Sequence, residues 1–214
     1  MNLLMSQTDP FPPSDFDSWA KTYDQAIHSQ SLFPFDGYER VLETIVALAE
    51  PQAGQSVLDL GTGTGNLAVR FGERGCDLWC TDFSEPMLEK AREKLPQAQL
   101  ILADLRADWP TELNRRFDRI VSAYVFHHLE LDAKVRLCRE LVTERLAPRG
   151  KLIIGDLSFP DAGTMAAYAQ SIGDLWEEEF FWLADESIRA LEAAGLKAAY
   201  RQVSACAGIY SIEG

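Results

Sequence analysis

The segment VLDLGTGTGNLA, residues 57–68, carries an apolar run into Gly61, Gly63 and Gly65 and leads at once into a helical pattern. Glycines accept positive φ and let a ligand approach the backbone, so a strand-to-helix turn of this composition is a candidate nucleotide site. Gly61, Thr62 and Gly63 are the residues expected to meet the ligand. The dinucleotide pattern G-x-G-x-x-G requires glycine at position 66, where Asn66 stands. The Walker A pattern requires Lys followed by Ser or Thr, and neither follows Gly65. With the pyrophosphate devices incomplete, a nucleoside without phosphate fits better.

Two carboxylates follow at strand ends. Asp82 closes CDLWCTD, twenty-one residues after Gly61, where an acidic residue in α/β folds hydrogen-bonds ribose hydroxyls. A carboxylate only accepts and a ribose diol offers two donors; each such charged hydrogen bond contributes about 1.5–3 kcal/mol. Asp104 closes AQLILAD and, in register with Asp82, is expected to accept from an adenine amino group, with the amide of Leu105 as companion donor to a ring nitrogen. Asp59 lies inside the first apolar run. A buried Asp there needs partners, and two are open to it: the amides of the glycine turn, or the ammonium group of a ligand.

The segment AYVFHHLE, residues 123–130, places His127 and His128 after the fourth run. Either is a candidate general base; packing and loop ordering are the alternative roles. With His28 remote in sequence, three histidines make no metal site. Cys76, Cys80, Cys138 and Cys206 show no C-x-x-C spacing and read as reduced core thiols.

These groups must be positioned by the elements around them. Apolar runs at 56–61, 76–82, 98–104, 117–124 and up to Asp156 alternate with helical stretches at Asn66–Arg74, Ser84–Leu95 and Asp132–Leu146. Ser84 is an N-cap candidate with Pro86 in the first turn. The alternation predicts βαβ units, a parallel sheet covered on both faces, and a ligand at the carboxyl edge of its strands. Ahead of it stand a polar, Pro-rich arm (1–15), a short helix DFDSWAKTYDQAI with Trp19 and Tyr23 on one face, and a helix over 38–50. Behind it, residues 160–194 are expected to be helical with Asp185 as an N-cap, and LKAAYRQVSA and AGIYSIE to pair antiparallel. In LWEEEFFWLADE, the aromatics Trp176, Phe180, Phe181 and Trp182 read as core, or as a lid over an apolar pocket with acidic neighbours, suited to a neutral or cationic acceptor.

Composition sets bounds. The 214 residues fit one domain, 47% are hydrophobic, and 33 acidic against 20 basic residues give a net charge of −13. Such a field repels polyanions, so neither nucleic acid nor an anionic membrane is expected as partner. No signal sequence or membrane span is visible, and a cytoplasmic location follows.

Taken together, VLDLGTGTGNLA, Asp82, Asp104, IVSAYVFHHL and LAPRGKLIIGD resemble the successive motifs of the class I S-adenosylmethionine-dependent methyltransferases. FDSWAKTYDQAI, IVSAYVFHHL and QVSACAGIY are similar to a group of small, uncharacterised bacterial methyltransferases, the YrrT-like proteins. The resemblance implies a Rossmann-like three-layer α/β sandwich with a seven-stranded, mostly parallel sheet whose last strand is antiparallel. It implies a single domain over 1–214: a lid from 1–50, a cofactor-binding core over 51–157, and C-terminal helices with an antiparallel hairpin over 158–214. It implies cofactor contacts at Gly61, Asp82 and Asp104, and suggests that Tyr23 closes over the methionine end; simple helix packing is the other role for Trp19 and Tyr23.

The implied reaction is direct in-line transfer of the methyl group of S-adenosyl-L-methionine to a small-molecule acceptor, leaving S-adenosyl-L-homocysteine, with no metal. The enzyme's part is alignment and water exclusion, with aromatic groups near the cationic sulfur. The alternatives are a non-catalytic sensor of S-adenosylmethionine or its product, and an NAD(P)-dependent oxidoreductase, which Asn66 opposes.

Overall fold

The computed structural model describes residues 17–29 and 33–213. The predicted arm, residues 1–15, lies outside them, as does the side chain of His28. Helical residues 17–19 open the described chain, followed by the helices α1 (Tyr23–Ser29) and α2 (Tyr38–Ala49). The alternating part follows: β1 (Ser56–Leu60), α3 (Asn66–Gly72), β2 (Asp77–Asp82), α4 (Glu85–Lys94), β3 (Gln99–Leu102), β4 (Phe117–Ala123), α5 (Leu131–Glu140) and β5 (Leu146–Phe159). The chain closes with α6 (Ala162–Ile172), β6 (Trp182–Leu183), α7 (Ala184–Ala193), β7 (Lys197–Gln202) and β8 (Ala207–Glu213).

The sheet runs β3-β2-β1-β4-β5-β8-β7. The strands from β3 to β5 are mutually parallel. β8, the last in the chain, is antiparallel to both neighbours and sits between β5 and β7, inside the sheet. The two-residue β6 pairs with the end of β5, beyond the seven expected. The strand order reverses between β1 and β4, which opens a crevice at their carboxyl ends.

Near-continuous apolar strands make sense here because consecutive residues serve opposite layers. Val57, Val121 and Ile153 pack beneath α2 and α3, with Val41, Ile45 and Phe71. Their neighbours Leu58, Ile120 and Leu152 pack on the other face with Leu137 and Leu191 from α5 and α7. Ser84 caps α4 as predicted, its Oγ accepting the Met87 amide at 3.3 Å with proline in the first turn.

Four expectations are corrected. The first predicted helix is interrupted at Ala20–Thr22, before α1 begins. α5 gives way to a π turn at Leu141–Arg145, and Pro148 to Gly150 lie in the irregular start of β5. The stretch 160–194 is not continuously helical: Gly173, at φ 57°, ends α6, and residues 176–181 carry no helix. Pairing of Trp182 with Ser158, and burial of its ring, prevail there over helix propensity. Consequently α7 starts at Ala184 with Leu183 at the cap position, and Asp185 lies in its first turn. All four cysteines are free; Cys76 is half-exposed and the other three are buried.

Candidate active site

The carboxyl ends of β1, β2, β4 and β5 open into a cavity of about 590 Å³, roofed by α1 and the segment Phe33–Tyr38. The glycine turn forms its floor. Gly61 has φ 64°, and a Cβ there would meet Val125 Cγ2 at 2.4 Å, so both conformation and close approach require glycine. Asp59 Oδ2 accepts the Thr62 hydroxyl at 2.7 Å. Asp59 is thus tied to the glycine turn through a hydroxyl in place of an amide, and it also lines the cavity. Burial pushes its pKa up to about 7, against the lowering effect of the Thr62 bond.

Asp82 holds the turn from the next strand. Its Oδ2 accepts the Gly63 amide at 2.8 Å and its Oδ1 the Ser84 amide at 2.9 Å. Burial nevertheless lifts its pKa to about 6. The Phe83 amide bonds it as well, so of a carboxylate's roughly four lone-pair sites about one remains for a ligand in the cavity it lines. Asp104 and Leu105 lie on the same wall. Arg106 clasps Asp104, its backbone amide donating at 2.8 Å and its Nη2 at 2.9 Å. The structure thus brings Gly61, Thr62, Gly63, Asp82, Asp104, Leu105 and Tyr23 to one cavity.

The roof is tied to the floor by residues whose role the sequence does not announce. Asp24 on α1 accepts the Thr64 hydroxyl at 2.6 Å and the Asn66 amide at 3.1 Å through Oδ1, and Lys94 at 2.7 Å through Oδ2. Trp19 and Tyr23 meet edge to face, ring centroids 4.8 Å apart, and both line the cavity. The two rings thus pack on one another at the cavity wall.

At the far end, Tyr124 follows β4 in the left-handed region at φ 58°. A non-glycine residue held there costs about 1–3 kcal/mol and is typical of functional sites. Its ring stacks on Tyr38 at 5.3 Å. Its hydroxyl is buried with no hydrogen-bond partner among the described residues. Next come the histidines. His127 Nδ1 lies 2.6 Å from Asp156 Oδ1 at the end of β5. Asp156 also accepts Trp182 Nε1 at 3.0 Å and the Leu157 amide at 2.9 Å. Burial raises the Asp156 pKa, but His127 and Lys134 outweigh it and hold the carboxyl below its ordinary value. Burial and the neighbouring His127 push His128 down to about 3. Both histidines line the cavity.

The aromatics of the insertion divide. Trp182 is core, while Trp176 and Phe181 pack on one another at 4.7 Å beside Phe33 and Phe159. From this segment it is Glu177 and Glu179 that line the cavity. Among the described lining residues Arg106 is the only lysine or arginine, against five carboxylates, which suits a cationic nucleoside and opposes a pyrophosphate. The Tyr124 hydroxyl, unpartnered among the described residues, and the remaining acceptor site of Asp82 fit a polar ligand of that kind.

Residues 57–150 match the family model described as a methyltransferase domain. An uncharacterized methyltransferase of Geobacillus kaustophilus (strain HTA426) is 36% identical over 174 residues, 80% of this chain and 77% of the relative. The uncharacterized methyltransferase YrrT of Bacillus subtilis (strain 168) is 32% identical, covering 80% of this chain and 78% of its own. Among solved structures, DhpI in its complex with SAM and HEP aligns with a TM-score of 0.71 at 20% identity, over 94% of this chain and 95% of that one. The magnesium protoporphyrin IX methyltransferase of Synechocystis with bound SAH aligns with a TM-score of 0.70 at 16% identity, over 94% and 96%. The solved structures show the fold, and the sequence relatives show the family. The chain belongs to the class I S-adenosylmethionine-dependent methyltransferases, in the group of uncharacterised bacterial methyltransferases that includes YrrT.

Proposed function

We propose that the enzyme methylates a small-molecule acceptor by direct in-line transfer inside the cavity at the carboxyl edge of the sheet. The observation that carries this reading is Asp82: a buried carboxylate fastened to the glycine turn, lining a cavity that ends on His127 and Glu179. When bound, S-adenosylmethionine supplies a methyl group on a sulfonium sulfur, open to displacement by a nucleophile.

The chain's own residues supply the rest. Asp82 accepts the ribose hydroxyls; Asp104 and the Leu105 amide meet the adenine edge; Gly61, Thr62 and Gly63 let the ligand lie against the backbone. Tyr23 covers the methionine end, and α1, tied down by Asp24, shields the transfer from water. A roofed cavity of about 590 Å³ supports a small acceptor over a macromolecule. No group of metal-ligating side chains occurs among the described residues, and none of the assigned roles calls on one. Among the described residues, no helix is long and apolar enough to cross a membrane.

The test is transfer from methyl-labelled S-adenosylmethionine into a cell extract. Label is expected in the low-molecular-weight fraction. Label confined to protein or nucleic acid would overturn the small-molecule reading, and cofactor binding without transfer to any fraction would favour a sensor.

A further inference from the structure

Resting on the methyl-transfer reading, the geometry points to an amine as the acceptor, held against Glu179 and giving up a proton to Nε2 of His127, which Asp156 positions.

Four observations converge. First, Asp156 is fully buried and meets three groups: His127, Trp182 and the Leu157 amide. An ionised carboxylate can only accept, so the neutral His127 ring carries its proton on Nδ1 and leaves the Nε2 lone pair as a base. Second, the Phe180 amide donates to the His127 carbonyl at 3.1 Å, and Lys134 holds the Phe180 carbonyl while lying 4.7 Å from the Trp182 ring. These bonds set the segment carrying Glu179 beside the imidazole. Third, Glu179 Oε2 is buried without a partner among the described residues, and burial pushes that carboxyl's pKa up. A carboxylate oxygen left unpaired in a cavity wall is complemented by a donor-bearing cation. Fourth, the Tyr124 hydroxyl, on a residue more than nine-tenths buried that lines the same cavity, is unpartnered among the described residues.

The charges select against anions. The titratable groups around His127 are Asp156, Glu179, Lys134 and His128. Lys134 is committed to the Phe180 carbonyl, and His128 is held neutral by burial. Arg106, the one guanidinium among the described lining residues, is paired with Asp104. A carboxylate or phosphate acceptor would meet Glu177 and Glu179, while the guanidinium of Arg106 is already engaged by Asp104.

An ammonium satisfies both partners. One N–H bonds to Glu179, and another breaks as its proton passes to His127 Nε2, freeing the nitrogen lone pair. The N–C bond then forms as the C–S bond breaks, the electron pair staying on sulfur, and the imidazolium releases its proton to solvent.

The test uses the intact protein with trideuteromethyl-labelled S-adenosylmethionine and a metabolite extract, products being read by mass spectrometry. Label on the nitrogen of an amine is expected; label on a carboxylate, phosphate or carbon acceptor overturns the assignment. Absence of any labelled product would strike the methyl-transfer reading itself, and the amine with it. For the amine so found, Glu179→Gln is expected to raise KM about tenfold or more with kcat little changed, as loss of a charged hydrogen bond to the bound acceptor requires. An unchanged KM removes Glu179 from the site. Nitrogen-15 NMR of the ligand-free protein, which depends on neither cofactor nor acceptor, is expected to show neutral His127 protonated at Nδ1; protonation at Nε2 overturns its role as the base.

Discussion

The carboxylate of Asp82 accepts the amide N–H of Gly63 across 2.8 Å, so the tip of β2 and the glycine turn after β1 are one unit. The group expected to grip the ribose also shapes the turn against which the nucleoside lies. Its second oxygen, bonded to the Ser84 amide, extends that unit to the start of α4.

Gly61 and Val125 form a coupled pair. Gly61→Ala places a Cβ 2.4 Å from Val125 Cγ2 and forces alanine to a positive φ. Chemical denaturation should show a loss of about 1–3 kcal/mol. Val125→Ala in the same chain should restore part of it, and a double-mutant cycle should give a coupling of about 0.5 kcal/mol or more. Strict additivity would mean that the two residues do not touch.

The roof should loosen when its tether is cut. Asp24 and Lys94 are half-exposed, so Asp24→Ala should cost the fold no more than about 1 kcal/mol. Amide exchange within α1 should nevertheless quicken, and S-adenosylhomocysteine should dissociate faster. Unchanged exchange in α1 would show that the bonds to Thr64, Asn66 and Lys94 do not hold the roof.

Cofactor affinity should depend on pH with a definite sign. Burial raises Asp82 to about 6 and Asp59 to about 7 in the ligand-free protein. A cationic ligand with ribose donors favours the ionised carboxylates, lowers those pKa values and displaces protons. Affinity should therefore fall as pH drops through 7 and 6, with proton release on binding near pH 6. Calorimetry in buffers of different ionisation enthalpy reads the release directly; proton uptake would contradict the assignment.

Much of this arrangement was legible in the sequence because it is local. The glycine turn, the capped start of α4 and the five parallel strands each announce themselves within a dozen residues. Asp82 follows from a strand end; Asp104 is expected in register with it, but β3 ends at Leu102, the partner of Asp82, and Asp104 follows two residues on. The partners of His127 and Asp24 do not: Asp156 lies 29 residues from the histidine, and Lys94 lies 70 from Asp24. Glu179 stands among aromatics that read as core or as a lid, and nothing local singles it out from the other acidic residues of its segment. In the fold these rings pack away from the cavity, and the carboxylates face it. Trp182 shows why the helix expected there fails: its indole bonds to Asp156 and its backbone joins β5, tertiary gains that local propensity does not record.

His127 should behave as a proton acceptor and not as a packing residue. His127→Gln should lower kcat by about a hundredfold or more, while affinity for S-adenosylhomocysteine changes little. Asp156→Asn should lower kcat as well, by releasing the Nδ1 proton from its partner. A His127 variant with full kcat would return the residue to a structural role.

The central claim is that Asp82 and the glycine turn together hold the adenosine. Titration calorimetry of wild type and Asp82→Asn with S-adenosylhomocysteine tests it most directly. One site per chain is expected in wild type, weakened about tenfold to a hundredfold in the variant, the equivalent of one lost charged hydrogen bond. Equal affinity in the two proteins, both folded, would contradict it.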